Sequence, residues 1–180
     1  MADVEGEFTL TMAELRVVAR FVAESADEVL EVFESATPGD ARPREAIAAA
    51  RAFVDGAPRS RRQRVAAVDA HRAAADATTE RARLAARCAG DAAAAAYLHP
   101  IARASQVGHI LRAAATVAHL TELGADVDQG AAARSLERSR LRATPVLVDV
   151  LRRYPQPSPR VGGSRVAILM GELDAALRKD

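Results

Sequence analysis

The sequence predicts an all-α, single-domain protein, a helical bundle or short helical array of about seven helices in 180 residues. Apolar residues recur at steps of three and four, and no segment alternates apolar and polar residues as a half-buried strand would. The composition is 49% hydrophobic but only 3% aromatic. Because alanine has high helix propensity and little bulk, such a composition favours slender helices packed closely. A chain of this length can bury one sizeable core.

The first two predicted helices are bounded by capping and turn residues. Residues 11–14 (Thr-Met-Ala-Glu) form a capping box, and the apolar stripe that follows predicts one helix to about Glu34. Residues 37–40 (Thr-Pro-Gly-Asp) should end it. Pro43 suits the first turn of a second helix, which Gly56 is expected to end.

Three more helices are predicted in the middle of the chain. Residues 60–63 (Ser-Arg-Arg-Gln) form a second capping box, which opens the third helix. A fourth, alanine-rich helix follows over about 78–98. A fifth is expected over 100–124, with Pro100 in its first turn.

The C-terminal part contains the remaining predicted elements. A sixth helix should begin near Asp128, and Thr144-Pro145 should kink it or split it in two. The expected organisation is a helical core domain over 10–154 and a connector, first proline-rich and then glycine-rich, over 155–163. The C-terminal helix, over 164–180, carries a leucine stripe that must dock on the core or on a partner.

Charge and composition argue against several classes of function. A formal net charge of +1 gives no basic footprint for nucleic acid, and no apolar run approaches the ~20 residues that span a bilayer. The single cysteine, Cys88, excludes an intrachain disulfide and is expected to be a small buried hydrophobe. The N-terminal segment lacks the apolar run of a secretory signal. We therefore expect a cytoplasmic protein with no nucleic-acid or membrane partner.

All but one of the 25 basic residues are arginines, an excess that, together with the alanines, is typical of GC-rich genomes. One run, residues 59–64 (Arg-Ser-Arg-Arg-Gln-Arg), is unusual because the helix macrodipole makes cations unfavourable where a helix begins. No aromatic residue interleaves with the run for base stacking. A solvated face or a contact for an acidic partner is therefore favoured over a nucleic-acid site.

The histidines lack the spacing of a metal site. Two ligands on one helix need a step of three or four residues, which no pair of the four histidines has. His119 and Glu122 are three apart, but they are interpreted as an ion pair on a solvated face that also carries Arg112. No metal and no other cofactor is expected.

Asp91 is the most informative polar residue. It shares one strip of the fourth helix with apolar residues, so we expect it to be partly buried and paired with an arginine or histidine of a neighbouring helix. His71 follows Val65 and Val68 on an apolar stripe and is expected at the edge of the core. Because imidazole titrates near neutral pH, a cluster of such groups can transfer protons. The candidate catalytic residues are His71, Asp91, His99 and His109.

These side chains can surround one polar cavity together with three binding candidates, Tyr97, Arg103 and Gln106. A satisfied internal network that fixes helix register is favoured over a reactive centre. On a continuous helix, His99 and His109 would be about 15 Å apart at ~1.5 Å per residue. They can act together only if the chain bends sharply at Pro100.

Three segments resemble those of a known family: residues 40–47 (Asp-Ala-Arg-Pro-Arg-Glu-Ala-Ile), the alanine-rich His71 helix, and residues 85–90 (Ala-Ala-Arg-Cys-Ala-Gly) leading into 99–109. Over roughly 10–124 the chain resembles the immunity-5-like group of immunity proteins of bacterial polymorphic toxin systems. The resemblance implies an all-helical intracellular protein that binds and neutralises a toxin protein. It adds Asp40, Arg42 and Arg44 to the binding candidates, as motif positions like His71, His99 and His109.

Two classes of function remain open on the sequence. The first is an immunity-type protein that binds and neutralises a partner protein. The alternative is a small helical enzyme or ligand-binding protein of bacterial secondary metabolism, with a pocket lined by histidine, aspartate and arginine. Whether any reaction is catalysed stays open, and a homodimer formed through the last helix is a further alternative.

Overall fold

The computed structural model describes residues 8–124, 128, 130–157 and 163–179. These residues are 75% helical and contain no strand, which confirms the all-α class. Two short 3₁₀ helices, Ala95–Tyr97 and Ala104–Gln106, lie between the fifth and sixth α-helices. None of the described helices is long and apolar enough to cross a membrane. The α-helices of the described residues are α1 Met12–Asp27, α2 Leu30–Ala36, α3 Arg42–Val54, α4 Arg61–Asp76, α5 Glu80–Ala94, α6 Val107–Glu122, α7 Ala131–Arg142, α8 Pro145–Arg152 and α9 Arg165–Leu177.

Both predicted capping boxes form. The Thr11 hydroxyl accepts a hydrogen bond from the Glu14 backbone N–H at 3.2 Å, and the Glu14 carboxylate accepts from the Thr11 N–H at 2.8 Å. At the second box the Ser60 N–H donates to Gln63 Oε1 at 2.8 Å. Because these bonds satisfy amides that lack partners within the helix, α1 and α4 begin where the sequence predicts.

The first predicted helix is divided in the structure. Instead of one helix to about Glu34, α1 and α2 are separated by Glu28 and Val29. The apolar periodicity continues across the break, so the pattern alone does not reveal it. At the break the Val29 N–H donates to the Ala26 carbonyl at 3.2 Å. This tight turn redirects the chain, so that α2 buries Phe33 and packs against α5.

The central helix of the described residues is α5, which packs against α1, α2, α3, α4 and α6. Its contacting faces consist mostly of alanine, so the backbones of its neighbours can approach closely. The alanines of α5 that are no more than 1% exposed are Ala82, Ala85, Ala86, Ala89, Ala92 and Ala93.

The buried face of α4 differs from the predicted one. Val65 and Val68 are 45% and 49% exposed, and His71 is exposed as well. The interpretation of these three residues as an inward stripe is therefore wrong. The helix instead turns its small residues inward, because an alanine face allows α4 to approach α3 and α5 closely. Its buried residues are Gln63, Ala67, Ala70, Ala73 and Ala74.

The predicted start of the fifth helix at Pro100 is also wrong, because α6 begins at Val107. A residue that precedes proline is biased towards extended conformations, and the chain is non-helical over 98–103. Two side chains form hydrogen bonds with the backbone of His99 in this segment. The His99 N–H donates to Gln106 Oε1 at 3.3 Å, and the Tyr154 hydroxyl donates to the His99 carbonyl at 2.9 Å.

The C-terminal helices show the predicted division at proline. Pro145 is the first residue of α8, and the Thr144 hydroxyl accepts from the Leu147 N–H at 3.2 Å. The last helix, α9, lies against α6 and α7 and buries its leucine stripe there. Residues 158–162 of the predicted connector lie outside the described residues, as does the N-terminal segment 1–7.

Candidate functional site

Asp91 forms a bidentate ion pair with Arg112, which joins α5 to α6. Arg112 Nε donates to Asp91 Oδ2 at 2.8 Å, and Arg112 Nη2 donates to Asp91 Oδ1 at 2.6 Å. The aspartate is 4% exposed, whereas the arginine side chain is 44% exposed. The predicted arginine partner of a buried Asp91 is thus confirmed. Because both carboxylate oxygens accept hydrogen bonds from Arg112, we interpret the pair as a structural link between α5 and α6.

His109 lies one turn before Arg112 on α6 and is partly buried. Burial lowers the pKa of this imidazole, and Arg112 and His99 lower it further, while Asp91 opposes the shift. The ring is therefore neutral at physiological pH.

His71 approaches the same region from α4. Its ring lies over Gly90, where an added Cβ would fall 2.7 to 2.9 Å from three ring atoms. Gly90 and Asp91 are adjacent in α5. His71 of α4 contacts the first of them, and Arg112 of α6 pairs with the second. Asp91 and His99 therefore both act electrostatically on His109, and His71 lies over the neighbour of Asp91 in α5, with no hydrogen bond from the His71 side chain to another described residue.

Two of the binding candidates near these histidines have distinct surroundings. Gln106 is 8% exposed, and its carboxamide oxygen accepts the hydrogen bond from the His99 backbone, so it holds the bend before α6. Arg103 is exposed on the same non-helical segment.

Asp40, Arg42 and Arg44 lie at the start of α3, where their charges are paired within the chain. Arg42 Nη2 lies 2.6 Å from Asp40 Oδ2 and 2.9 Å from Asp76 Oδ2, and Arg44 pairs with Glu34. The bonds from Arg42 lower the pKa of the Asp40 carboxyl. These pairs tie α3 to α2 and to the C-terminal end of α4.

Tyr97 lies at the opposite end of α4 from Asp76. Its hydroxyl donates to the Ser60 carbonyl at 2.8 Å, just before the helix begins. A helix the length of α4 spans about 24 Å. Tyr97 therefore lies far from Asp40, Arg42 and Arg44, so the binding candidates predicted from the sequence do not form one site.

The N-terminal half of α4 forms one side of an open groove of about 760 Å³, which we call the α4 groove. Val65 and Val68 expose nearly half of their surface in it. The guanidinium carbon of Arg64 lies 4.2 Å from the centre of the Tyr97 ring, and that of Arg59 lies 5.6 Å from it. The lining residues are Arg59, Ser60, Arg61, Arg64, Val65, Val68, Asp69, Arg72 and Tyr97.

The charges of the α4 groove are unbalanced. Arg72 pairs with Asp69 at 3.0 Å, but Arg59, Arg61 and Arg64 form no ion pair with any described carboxylate. A second, smaller depression of about 300 Å³ between α1 and α3 is different, because there Arg51 pairs with Asp27. The α4 groove thus presents unneutralised guanidinium groups beside exposed apolar side chains.

No metal centre is built from the described residues, in which no three or more histidine, cysteine, aspartate or glutamate side chains come together as ligands. His119 Nδ1 lies 3.3 Å from Glu122 Oε2, and the same carboxylate pairs with Arg165 of α9. Cys88 is 1% exposed, and burial raises the pKa of its thiol. The prediction of a small buried hydrophobe at this position is confirmed.

Sequence reasoning identified the arginine run 59–64 but missed the groove that it lines. Its lining residues outside the run include Val65 and Val68, which the apolar periodicity predicts to lie in the core, and Tyr97, which the sequence predicts to lie in the histidine cluster; the others are Asp69 and Arg72. One signal could have revealed the outward valines. The alanines of α4 also recur at helical spacing, on a different face from the valines, and in an alanine-rich core they are the better inward face.

The fold and these surfaces define a small all-helical protein with an ion pair between its central helices and an open cationic groove. A family model described as Imm-5 like putative immunity protein matches residues 9–104. The chain belongs to this family. The matched segment contains every lining residue of the α4 groove and also Asp91, and it ends before His109 and Arg112. No curated protein and no solved structure gives a significant match.

Proposed function

We propose that this protein is an immunity protein that binds a toxin protein and neutralises it in the bacterial cytoplasm. Membership of the family over residues 9–104 is the observation that carries the proposal. The α4 groove supports it, because arginine and tyrosine are enriched in protein interfaces, and Val65 and Val68 expose apolar surface that a partner can cover. The whole groove lies within the matched segment.

The test is rescue of growth. Each protein encoded beside the gene of this chain is expressed alone in a bacterial host, and any protein that arrests growth is then co-expressed with this chain. We expect growth to recover and the two proteins to elute together in size-exclusion chromatography. Failure of this chain to protect against, or to bind, any toxic neighbour would contradict the proposal.

The alternative of a small enzyme or ligand-binding protein depends on Asp91, His99 and His109. We assign this cluster a structural role, because Arg112 engages both oxygens of Asp91 and the backbone of His99 is held by Gln106. Replacing His99 and His109 by alanine should leave the protection against the toxin intact. Loss of protection by a variant that is as stable as the native protein would favour the alternative.

The remaining binding candidates also receive structural roles in this proposal. Arg42 and Arg44 neutralise carboxylates of their own chain, so they offer little charge to a partner. The leucine stripe of α9, on which the homodimer alternative rested, is buried against α6 and α7. We therefore propose a complex of this chain with a different protein.

A further inference from the structure

We infer that the α4 groove is the surface that binds the partner, and that it takes an acidic segment of a protein in which carboxylates alternate with apolar side chains. This inference rests on the proposed immunity function and deepens it by naming the surface and the chemistry of the bound segment. Three features of the groove carry it: unneutralised charge, arginines held in place, and an exposed apolar strip.

The positive charge of the α4 groove has no countercharge among the described carboxylates of the chain. Arg42, Arg44 and Arg112 each pair with a carboxylate, whereas three arginines of this one groove, Arg59, Arg61 and Arg64, pair with none of the described ones. The net charge of the whole chain is only +1, so this positive patch is local. The first turn of α4 contains no acidic residue, and the helix dipole places partial positive charge at this end of the helix. Carboxylates of a partner would supply the missing countercharge.

Tyr97 holds two of these arginines in position before any partner arrives. The guanidinium of Arg64 stacks on the Tyr97 ring, and that of Arg59 lies over it at a longer distance. The ring itself is fixed by the hydrogen bond from its hydroxyl to the Ser60 carbonyl. Because ordering flexible side chains is a cost of binding, arginines that are already placed bind carboxylates more tightly.

The apolar strip indicates that the partner is a protein rather than a free anion. Val65 and Val68 are three positions apart on α4, so they lie side by side on one face between Arg61, Arg64 and Arg72. An anion alone would leave these side chains in water. A peptide segment can cover them with aliphatic side chains while its acidic residues reach the guanidinium groups.

The same features argue against nucleic acid. The single aromatic ring of the groove already has Arg64 against it and is not free to stack on a base. Asp69 lies in the groove and would repel phosphates, and the basic patch occupies only a small part of a nearly neutral chain.

The first experiment uses the toxin that the rescue assay identifies. The double variant Arg61→Glu/Arg64→Glu should bind that toxin at least about tenfold more weakly. The matched control is Arg138→Glu, at an exposed arginine of α7 that likewise has no partner among the described residues, and it should bind within about twofold of the native protein. Glutamate in the first turn of a helix is favourable, so misfolding should not explain the loss, and thermal unfolding of each variant checks this.

The second experiment needs no toxin. A synthetic peptide that alternates aspartate and leucine is titrated into the ¹⁵N-labelled native protein, and backbone amide shifts are followed. Shifts concentrated at residues 59–72 and at Tyr97 are expected. A peptide with asparagine in place of aspartate should cause none, and a single-stranded oligonucleotide of similar charge should bind more weakly than the acidic peptide.

The two experiments separate the inference from the proposed function. If the chain neutralises a toxin and the double variant does so equally well, the immunity function stands and the groove is not the binding surface. Equal binding of the asparagine peptide, tighter binding of the oligonucleotide, or shifts elsewhere than in the groove would also overturn the inference. If no toxin is found but the acidic peptide binds the groove specifically, the chemistry of the surface stands and its assignment to toxin binding falls.

Discussion

The imidazole of His71 lies directly over Gly90, closer than any side chain at position 90 would allow, and this contact marks the approach of α4 to α5. A glycine within a helix costs about 1 kcal/mol relative to alanine. Gly90 is neither at a turn nor at a helix end, and the His71 ring occupies the space that a Cβ at this position would take.

The substitution Gly90→Ala is therefore expected to have two opposite effects on the free energy of unfolding. Alanine favours the helix by about 1 kcal/mol, but its Cβ must displace the His71 ring. In a His71→Ala background the clash is absent, so Gly90→Ala should be more favourable there than in the native protein. Urea unfolding of the four proteins of this double-mutant cycle measures the difference. An identical effect of Gly90→Ala in both backgrounds would show that the ring does not constrain position 90.

The buried ion pair predicts a second stability effect. Arg112→Met leaves the Asp91 carboxylate in the interior without its partner and should lower the free energy of unfolding by about 2–4 kcal/mol. Adding Asp91→Asn should recover part of that loss, because no unpaired charge then remains. Chemical denaturation of the single and double variants tests this. A double variant less stable than Arg112→Met alone would mean that Asp91 has another stabilising partner.

His109 should make stability depend on pH. Its pKa in the folded protein is lowered from 6.5, so the unfolded chain binds the proton more readily. Its contribution is fully present above pH 6.5 and is lost as the pH falls from 6.5 through the folded pKa. Unfolding of the native protein and of His109→Gln at about pH 7.5 and about pH 5.5 isolates this contribution, and the variant should lose less stability on acidification. Equal losses would exclude His109 as the cause.

The thiol of Cys88 should react very slowly with thiol reagents in the folded state. The thiol is 1% exposed on α5, and burial raises its pKa, so little reactive thiolate forms at neutral pH. A thiol-specific chromogenic disulfide should react with the native protein only at the rate at which α5 becomes exposed. In denaturant the reaction should be fast. Rapid labelling of the native protein would mean that the central helix opens readily.

The parts of the fold that sequence reasoning predicted well depend on local chemistry. The capping boxes at Thr11 and Ser60 and the division at Pro145 each depend on a few neighbouring residues, and each forms as expected. The arginine partner of Asp91 followed from the cost of burying an unpaired charge.

The predictions that were wrong concern features that depend on how the helices pack against one another. Val29 continues an apolar stripe although the chain turns there, so periodicity could not locate the end of α1. The valines and the alanines of α4 form different faces of one helix, and only the close approach of α5 selects the alanines. The α4 groove was missed because Tyr97 reaches it from another element, through a contact that no sequence spacing encodes.

The ion pair between Asp91 and Arg112 joins a residue inside the segment that the family model matches to a residue outside it. The carboxylate lies inside residues 9–104 and its cation lies outside them. A polypeptide cut after residue 104 would carry a bare negative charge on its middle helix and would leave the alanine surface beneath α6 in water. Residues 9–104 thus depend on the rest of the chain to neutralise Asp91 and to bury their alanine surface. We expect the two parts to unfold together in one cooperative transition.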